Sequence, residues 1–86
     1  MSEPSTYSVL VEVRLRPGIA DPQGATIERA LPALGFEGVR SVRSGKAFRL
    51  EVDAPSADDA ARRAGELAHR LLANPVIEES TVTVLA

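Results

Sequence analysis

Between Tyr7 and Leu15 apolar and polar side chains alternate closely enough to predict a strand with one buried face, Val9, Val11, Val13 and Leu15 pointing one way and Ser8, Glu12 and Arg14 the other. Arg16-Pro17-Gly18 ends it, and the period then changes. Asp21 is placed to cap a helix, with Pro22 at its first position, where a missing N–H costs nothing. Ile27, Ala30, Leu31 and Leu34 recur at helical spacing as far as Gly35, a natural C-terminal residue. Pro32 inside that span removes a backbone hydrogen bond and crowds the preceding turn, so a kink or an early stop is expected.

Further on, residues 38–43 and 46–52 read as two strands closed into a hairpin by Ser44-Gly45, with Phe48, Leu50 and Val52 inward. Ser56 and Asp59 resemble a capping box ahead of an amphipathic helix whose stripe is Ala60, Ala64, Leu67 and Leu71, flanked by Ala61, Ala68 and Leu72. Asn74-Pro75 stops that helix, and residues 80–85 have the β-branched content of a last strand. The order strand, helix, strand, strand, helix, strand predicts an α+β, ferredoxin-like βαββαβ fold: a four-stranded antiparallel sheet with both helices on one face, because each crossover must be right-handed. Residues 1–6 are expected to form a flexible lead and residues 7–86 a single domain. The helix-free face would carry Leu10, Glu12, Arg14, Ala47, Arg49, Thr81, Thr83 and Leu85, a mixed surface that a second copy would cover.

Composition narrows the chemistry. A chain of 86 residues makes one domain that buries roughly 60 to 65 per cent of its unfolded surface, leaving little room for an enclosed active site. Aromatics are 3% against 44% hydrophobic residues, so the core must be built from Val, Leu, Ile and Ala. A formal net charge of −2 with both signs interspersed offers no field for a phosphate backbone, which argues against nucleic acid. The absence of cysteine excludes a disulfide framework, no apolar stretch approaches the ~18 residues of a membrane span, and Met1 to Thr6 lacks the regions of a secretory signal. A cytoplasmic protein away from membranes is expected. With one His and no Cys, nucleophilic, metal and redox chemistry have few candidates.

Three segments stand at the junctions between these elements: Asp21-Pro22-Gln23-Gly24, Arg43-Ser44-Gly45-Lys46, and residues 71–78, Leu-Leu-Ala-Asn-Pro-Val-Ile-Glu. Gly45-Lys46 lacks the fuller spacing of a phosphate loop, and Ala47 stands where a Ser or Thr would hold magnesium. Across the expected turn, Arg43 and Lys46 would face one another, a cost to the isolated domain unless a partner carboxylate lies between them. Asp21 is first a cap and Gln23 a first-turn residue, but an exposed helix start also has free N–H groups for a partner's carboxylate or carbonyl oxygen. Asn74 is mostly a helix stop. His69, off the stripe and without Asp, Ser or Cys partners, makes a poor base, and Glu66 with Arg70 reads as an ordinary surface pair.

In this order and spacing the three segments resemble the small subunit of phosphoribosylformylglycinamidine synthase, the PurS family, over nearly the whole chain from Tyr7 onward. The resemblance implies a non-catalytic part of a purine-biosynthetic ligase. In such a complex a synthetase subunit binds formylglycinamide ribonucleotide and ATP, a glutaminase subunit releases ammonia, and the small subunit, as a homodimer or a dimer of dimers, bridges them and assists ammonia transfer. On this resemblance Asp21, Gln23, Gly24, Arg43, Gly45, Lys46 and Asn74 are candidate partner-docking residues, none is catalytic, and ATP and magnesium belong to the synthetase rather than to this chain. Pro32 and the extended amino terminus depart from the family pattern. The main alternative is an ACT-like domain sensing a small metabolite at a dimer seam, with Gly18 near the expected glycine. An RNA-binding domain would need more sheet aromatics than Phe48, and an acylphosphatase a phosphate-cradling loop with an Arg after the first strand.

Overall fold

Strand β1 runs from Ser5 to Leu15 and is the middle of a three-stranded antiparallel sheet, flanked by β2 (Gly45–Ala54) and β3 (Glu78–Val84) in the order β2-β1-β3. This computed structural model describes residues 4–86. Of the lead expected over residues 1–6, residues 1–3 lie outside the described residues, whereas Ser5 and Thr6 already belong to β1, where Thr6 Oγ1 donates to Asp53 Oδ1 at 2.7 Å. Helix α1 spans Pro22–Ala30 and α2 spans Ala57–Leu67, the latter continuing as a π-helical turn over Ala68–Leu72.

Alternation in β1 works as the sequence predicts: Val9, Val11 and Val13 are the largest fully buried side chains, and Phe48, Leu50, Val52, Val82 and Val84 flank them on the same face. α2 lies over this face. It buries Ala60, Ala64 and Ala68, while Leu67 and Leu71 of the expected stripe are exposed, Leu71 at 74%. Residues four apart keep to one side of a helix, and the π turn rotates the chain so that Leu72 rather than Leu71 reaches the core. Three alanines facing the sheet let the helix backbone approach closely, which is how a core with few aromatics fills its volume. Ser56 caps α2 as expected, its hydroxyl accepting from Asp59 N at 3.1 Å.

The fourth strand does not form. Residues 38–43 carry no strand, and no hairpin joins them to β2. Gly38 (φ 79°) and Ser41 (φ 60°) sit in the left-handed region, which a pleated strand cannot accommodate. The Val42 N–H, which would have lain in the expected strand, goes instead to a side chain of α1, donating to Glu28 Oε1 at 2.9 Å, and Ser44 N, at the expected turn, donates to Oδ2 of Asp21, the cap of α1, at 2.6 Å. Having no ladder to pack on, α1 makes no substantial contact with the sheet, so the expected layer of two helices is a single helix.

α1 stops at Ala30, as Pro32 requires. Leu31 N still reaches Glu28 O, a short 3-10 turn follows over Pro32–Leu34, and Gly35 (φ 88°) closes the end with its own N–H bonded to Pro32 O and that of Phe36 to Leu31 O. α1 and the segment after it therefore form an arm reaching beyond the sheet. The radius of gyration is 16.9 Å, against about 12 Å for a compact chain of this length. Along the arm Ile27, Leu34, Phe36 and Val39 are all at least 44% exposed.

Candidate functional site

The root of the arm is held by one carboxylate. Asp21 Oδ1 accepts from Gly24 N (2.9 Å), capping α1, and from Ser44 Oγ (2.8 Å), while its Oδ2 accepts from Ser44 N (2.6 Å). The residue is buried, yet its carboxyl is held below its ordinary value of 3.8, chiefly by the Gly24 and Ser44 backbone N–H groups, then by the Ser44 hydroxyl and the nearby Arg43 charge, against the opposing effect of burial. These donors select the ionised form. A lowered pKa contributes its full stability above about pH 4 and loses it as pH falls through the lowered value. The Ser44 amide should therefore stay protected from hydrogen exchange across neutral pH and lose protection only in acid, and Asp21→Asn should show that loss already at pH 7. An Asn variant as well protected as the parent would mean that the carboxylate does not hold the arm.

Two glycines make the close approach feasible. A Cβ on Gly24 would lie 2.4 Å from Val42 O, and one on Gly45 would lie 2.7 Å from Val13 O, so both positions admit only hydrogen there. Gly45 therefore serves a backbone contact at the start of β2, not the hairpin turn expected of it. Arg43 and Lys46 do not face one another. Arg43 Nη2 donates to Ile19 O at 3.0 Å, and Lys46 Nζ lies 4.0 Å from Glu78 Oε2 and 5.9 Å from the centre of the Phe48 ring. With no turn between them, the expected repulsion is absent.

Gln23, Ser44, Gly45, Lys46 and Glu78 line a cleft of about 220 Å³ with Val13, Arg14 and Leu15 from β1. Glu78 also ties in the third segment, because its Oε1 accepts from Asn74 N at 2.7 Å while its other oxygen pairs with Lys46. Asn74 is more than a helix stop: its Oδ1 accepts from Val76 N, and its carbonyl oxygen accepts from Ile77 N and Glu78 N, which turns the chain into β3. Arg16 fastens that turn from the end of β1 by donating to Pro75 O. The three segments thus meet at one end of the sheet. Glu28, which holds Val42 from 14 residues away, had no local signal in the sequence. His69 is exposed, and Glu66 pairs with Arg62 at 3.6 Å rather than with Arg70. Among the described residues no group of three His, Asp or Glu side chains is placed to hold a metal ion.

The polar groups of this site are spent on holding chain segments together. The family model PurS, phosphoribosylformylglycinamidine (FGAM) synthase, matches residues 8–86. The chain belongs to the PurS family. It is 47% identical over 74 residues to the phosphoribosylformylglycinamidine synthase subunit PurS of Mycobacterium leprae, covering 86% of this chain and 90% of that one. The crystal structure of the purS subunit from Thermotoga maritima superimposes with a TM-score of 0.87 at 34% identity, over 95% of this chain and 94% of that one. A chain in the structure of PurLQS from the same organism gives 0.86 at 34% identity, over 94% and 99%. Membership of the PurS family leaves no support for the ACT-like alternative, and the three-stranded sheet with two helices is the fold on which the family match stands.

Proposed function

We propose that this chain is a non-catalytic bridging subunit that joins the synthetase and glutaminase subunits of FGAM synthase and assists the transfer of ammonia between them. In this reaction formylglycinamide ribonucleotide, glutamine and ATP give formylglycinamidine ribonucleotide, with ATP and magnesium bound by the synthetase. The protein is a cytoplasmic homodimer in this reading, associating into a dimer of dimers at high concentration. The observation that carries the reading is the arm. A clip built from Asp21, Gly24 and Ser44 fixes a projecting helix whose Ile27, Leu34, Phe36 and Val39 have no cover from the chain's own sheet, as a bridging element requires. The PurLQS structure contains a chain of this shape, which supports a place in such a complex. Co-purification with a synthetase and a glutaminase in the presence of ATP, glutamine and substrate tests it, and elution of the chain by itself under those conditions would sink the bridging role.

Asp21, Gln23, Gly24, Arg43, Gly45, Lys46 and Asn74 mark the docking end. Asp21, the two glycines and Asn74 act by shaping it, and Gln23, Arg43 and Lys46 offer side chains to acidic or carbonyl groups on the synthetase. Lys46 keeps 52% of its side chain exposed beside Glu78, enough to reach a second carboxylate. Replacing both Arg43 and Lys46 by Ala should lower thermal stability only slightly, since an exposed pair contributes about 0–1 kcal/mol. Complex formation should weaken, and it should become less sensitive to salt than that of the parent. Normal assembly combined with a large loss of melting temperature would assign the two cations to the fold instead.

A further inference from the structure

Lys46 is the only lysine in the chain, every other strongly basic side chain being an arginine. Its Nζ has one anionic neighbour, Glu78 Oε2, at 4.0 Å, too far for a good hydrogen bond, and about half of the side chain is exposed. An arginine here could make the same pairing and would hold a partner's carboxylate better, through two parallel bonds. What only lysine adds is a primary amine, which is a nucleophile.

The amine stands where two cavities meet. The cleft of about 220 Å³ shares Arg14, Ser44, Gly45 and Lys46 with a second one of about 340 Å³, to which Arg43 and Glu12 contribute. Three cations thus line the pair against two carboxylates, Glu12 and Glu78. Not every donor around the amine is spent. Among the described residues Arg43 uses Nη2 alone, on Ile19 O, which leaves the rest of its guanidinium uncommitted. The Gly45 N–H is also without an acceptor, for a reason set by the ladder. Ser8 donates to Ala86 O and accepts from Leu85 N, so even-numbered residues of β1 bond β3, and Gly45, opposite Arg14, receives no bond from β1.

A primary amine beside surplus donors for a dianion suits an acyl phosphate, which brings an electrophilic carbonyl for the amine and a leaving group whose charge the donors can hold. We propose that Lys46 is a site of acylation by small acyl phosphates, and that the acylated chain is kept out of the complex. The ammonium first releases a proton to solvent. The neutral amine then attacks the carbonyl carbon, the C–N bond forms, the C–O bond to phosphate breaks, and the amine's surplus proton leaves with the phosphate as hydrogen phosphate. The product is an uncharged amide, and nothing is oxidised or reduced. Arg43 and the Gly45 N–H serve the phosphate as it departs, and the excess of cations draws the dianionic reagent into the cleft. Acylation removes the Lys46 charge and leaves Glu78 Oε2 without its pair, but an exposed pair contributes little to stability, so the fold is retained. The effect on assembly rests on the docking role proposed above, whereas the reactivity of the amine does not.

Peptide mass spectrometry of the folded full chain treated with acetyl phosphate reads the rate at Lys46, with Nα-acetyl-lysine amide in the same tube as a reference amine. Lys46 should react on the order of tenfold faster than the reference, and the advantage should shrink in high salt. Arg43→Ala should bring the two rates together. Acetylimidazole, which carries no phosphate, should not distinguish Arg43→Ala from the parent, and this separates a contact to phosphate from damage to the fold. In co-purification with the synthetase and the glutaminase, the acylated chain should be lost from the complex. Lys46→Arg, left with only its terminal amine, should behave identically before and after treatment. A Lys46 no faster than the reference, or an Arg43→Ala chain that reacts with acetyl phosphate as the parent does, overturns the site and leaves the docking role standing. Fast acylation followed by normal assembly overturns the exclusion and removes Lys46 from the docking end as well. A Lys46→Arg chain that drops out of the complex on treatment would assign the loss to another amine and overturn the proposal too.

Discussion

Omitting this chain from a mixture of the synthetase and glutaminase subunits is expected to reduce glutamine-dependent formation of formylglycinamidine ribonucleotide to background, while synthesis from added ammonium suffers much less. Ammonia released by a glutaminase that is not held against the synthetase is diluted into solvent and largely protonated at neutral pH. A bridge raises its effective concentration at the acceptor without making any new contact to the substrate. In the bridging reading proposed above, the chain acts by position rather than by chemistry of its own. Its one histidine is exposed, it has no cysteine, and the carboxylate best held among the described residues, Asp21, is committed to Gly24 and Ser44. Parallel assays with glutamine and with ammonium, with and without the chain, give the answer. Equal losses with both nitrogen sources would assign it to shaping the synthetase rather than to ammonia transfer.

Gly24→Ala is expected to open the root of the arm while leaving the sheet folded. The new Cβ would sit 2.4 Å from Val42 O and 2.8 Å from Asp21 Oδ2, closer than carbon and oxygen approach, and the first of these is backbone that no rotamer change can move. α1 and the segment around Val42 must part, and the bonds from Asp21 to Ser44 stretch with them. The core of Val9, Val11, Val13 and the α2 alanines touches none of this, so far-ultraviolet circular dichroism should retain the sheet and α2. Amide exchange at Val42 and Ser44 should rise steeply, and assembly with the other subunits should fail or weaken severely. Gly65→Ala is the matched control, since a Cβ there meets nothing within 4 Å and alanine is the better helix former. Should Gly24→Ala keep both protection and assembly, the arm's fixed position is not what the complex recognises.

Much of the architecture could be read from local pattern. The alternation of Val9, Val11 and Val13, the caps Asp21 and Ser56, and the stop imposed by Pro32 all act within a few residues, where periodicity and hydrogen-bonding capacity leave few choices. The error over residues 38–43 came from the same kind of reasoning. Ser44-Gly45 between two β-prone runs is a fair hairpin signal, but a ladder forms only if nothing else satisfies the backbone, and here Asp21 and Glu28 do so from 23 and 14 residues away. The candidate residues were found as segments without their connections. Nothing local in the sequence shows that Glu78 joins Lys46 to Asn74, or that Gly45 is needed for its approach to Val13 and not for a turn.

The amino-acid sequence by itself determined the class of the fold, the faces of β1 and β2 and both helix starts, because each depends on side-chain type and spacing along a short stretch. It also contained, in the three junction segments, enough to place the chain in its family. Only the tertiary structure decided that the sheet has three strands, that α1 stands away from it as an arm, that two distant segments close on the Asp21 carboxylate, and that the third joins them at one cleft. Those outcomes turn on which of several competing partners a backbone N–H meets once the chain is folded. That competition is settled by distances of about 3 Å between residues far apart in sequence, which no local pattern encodes.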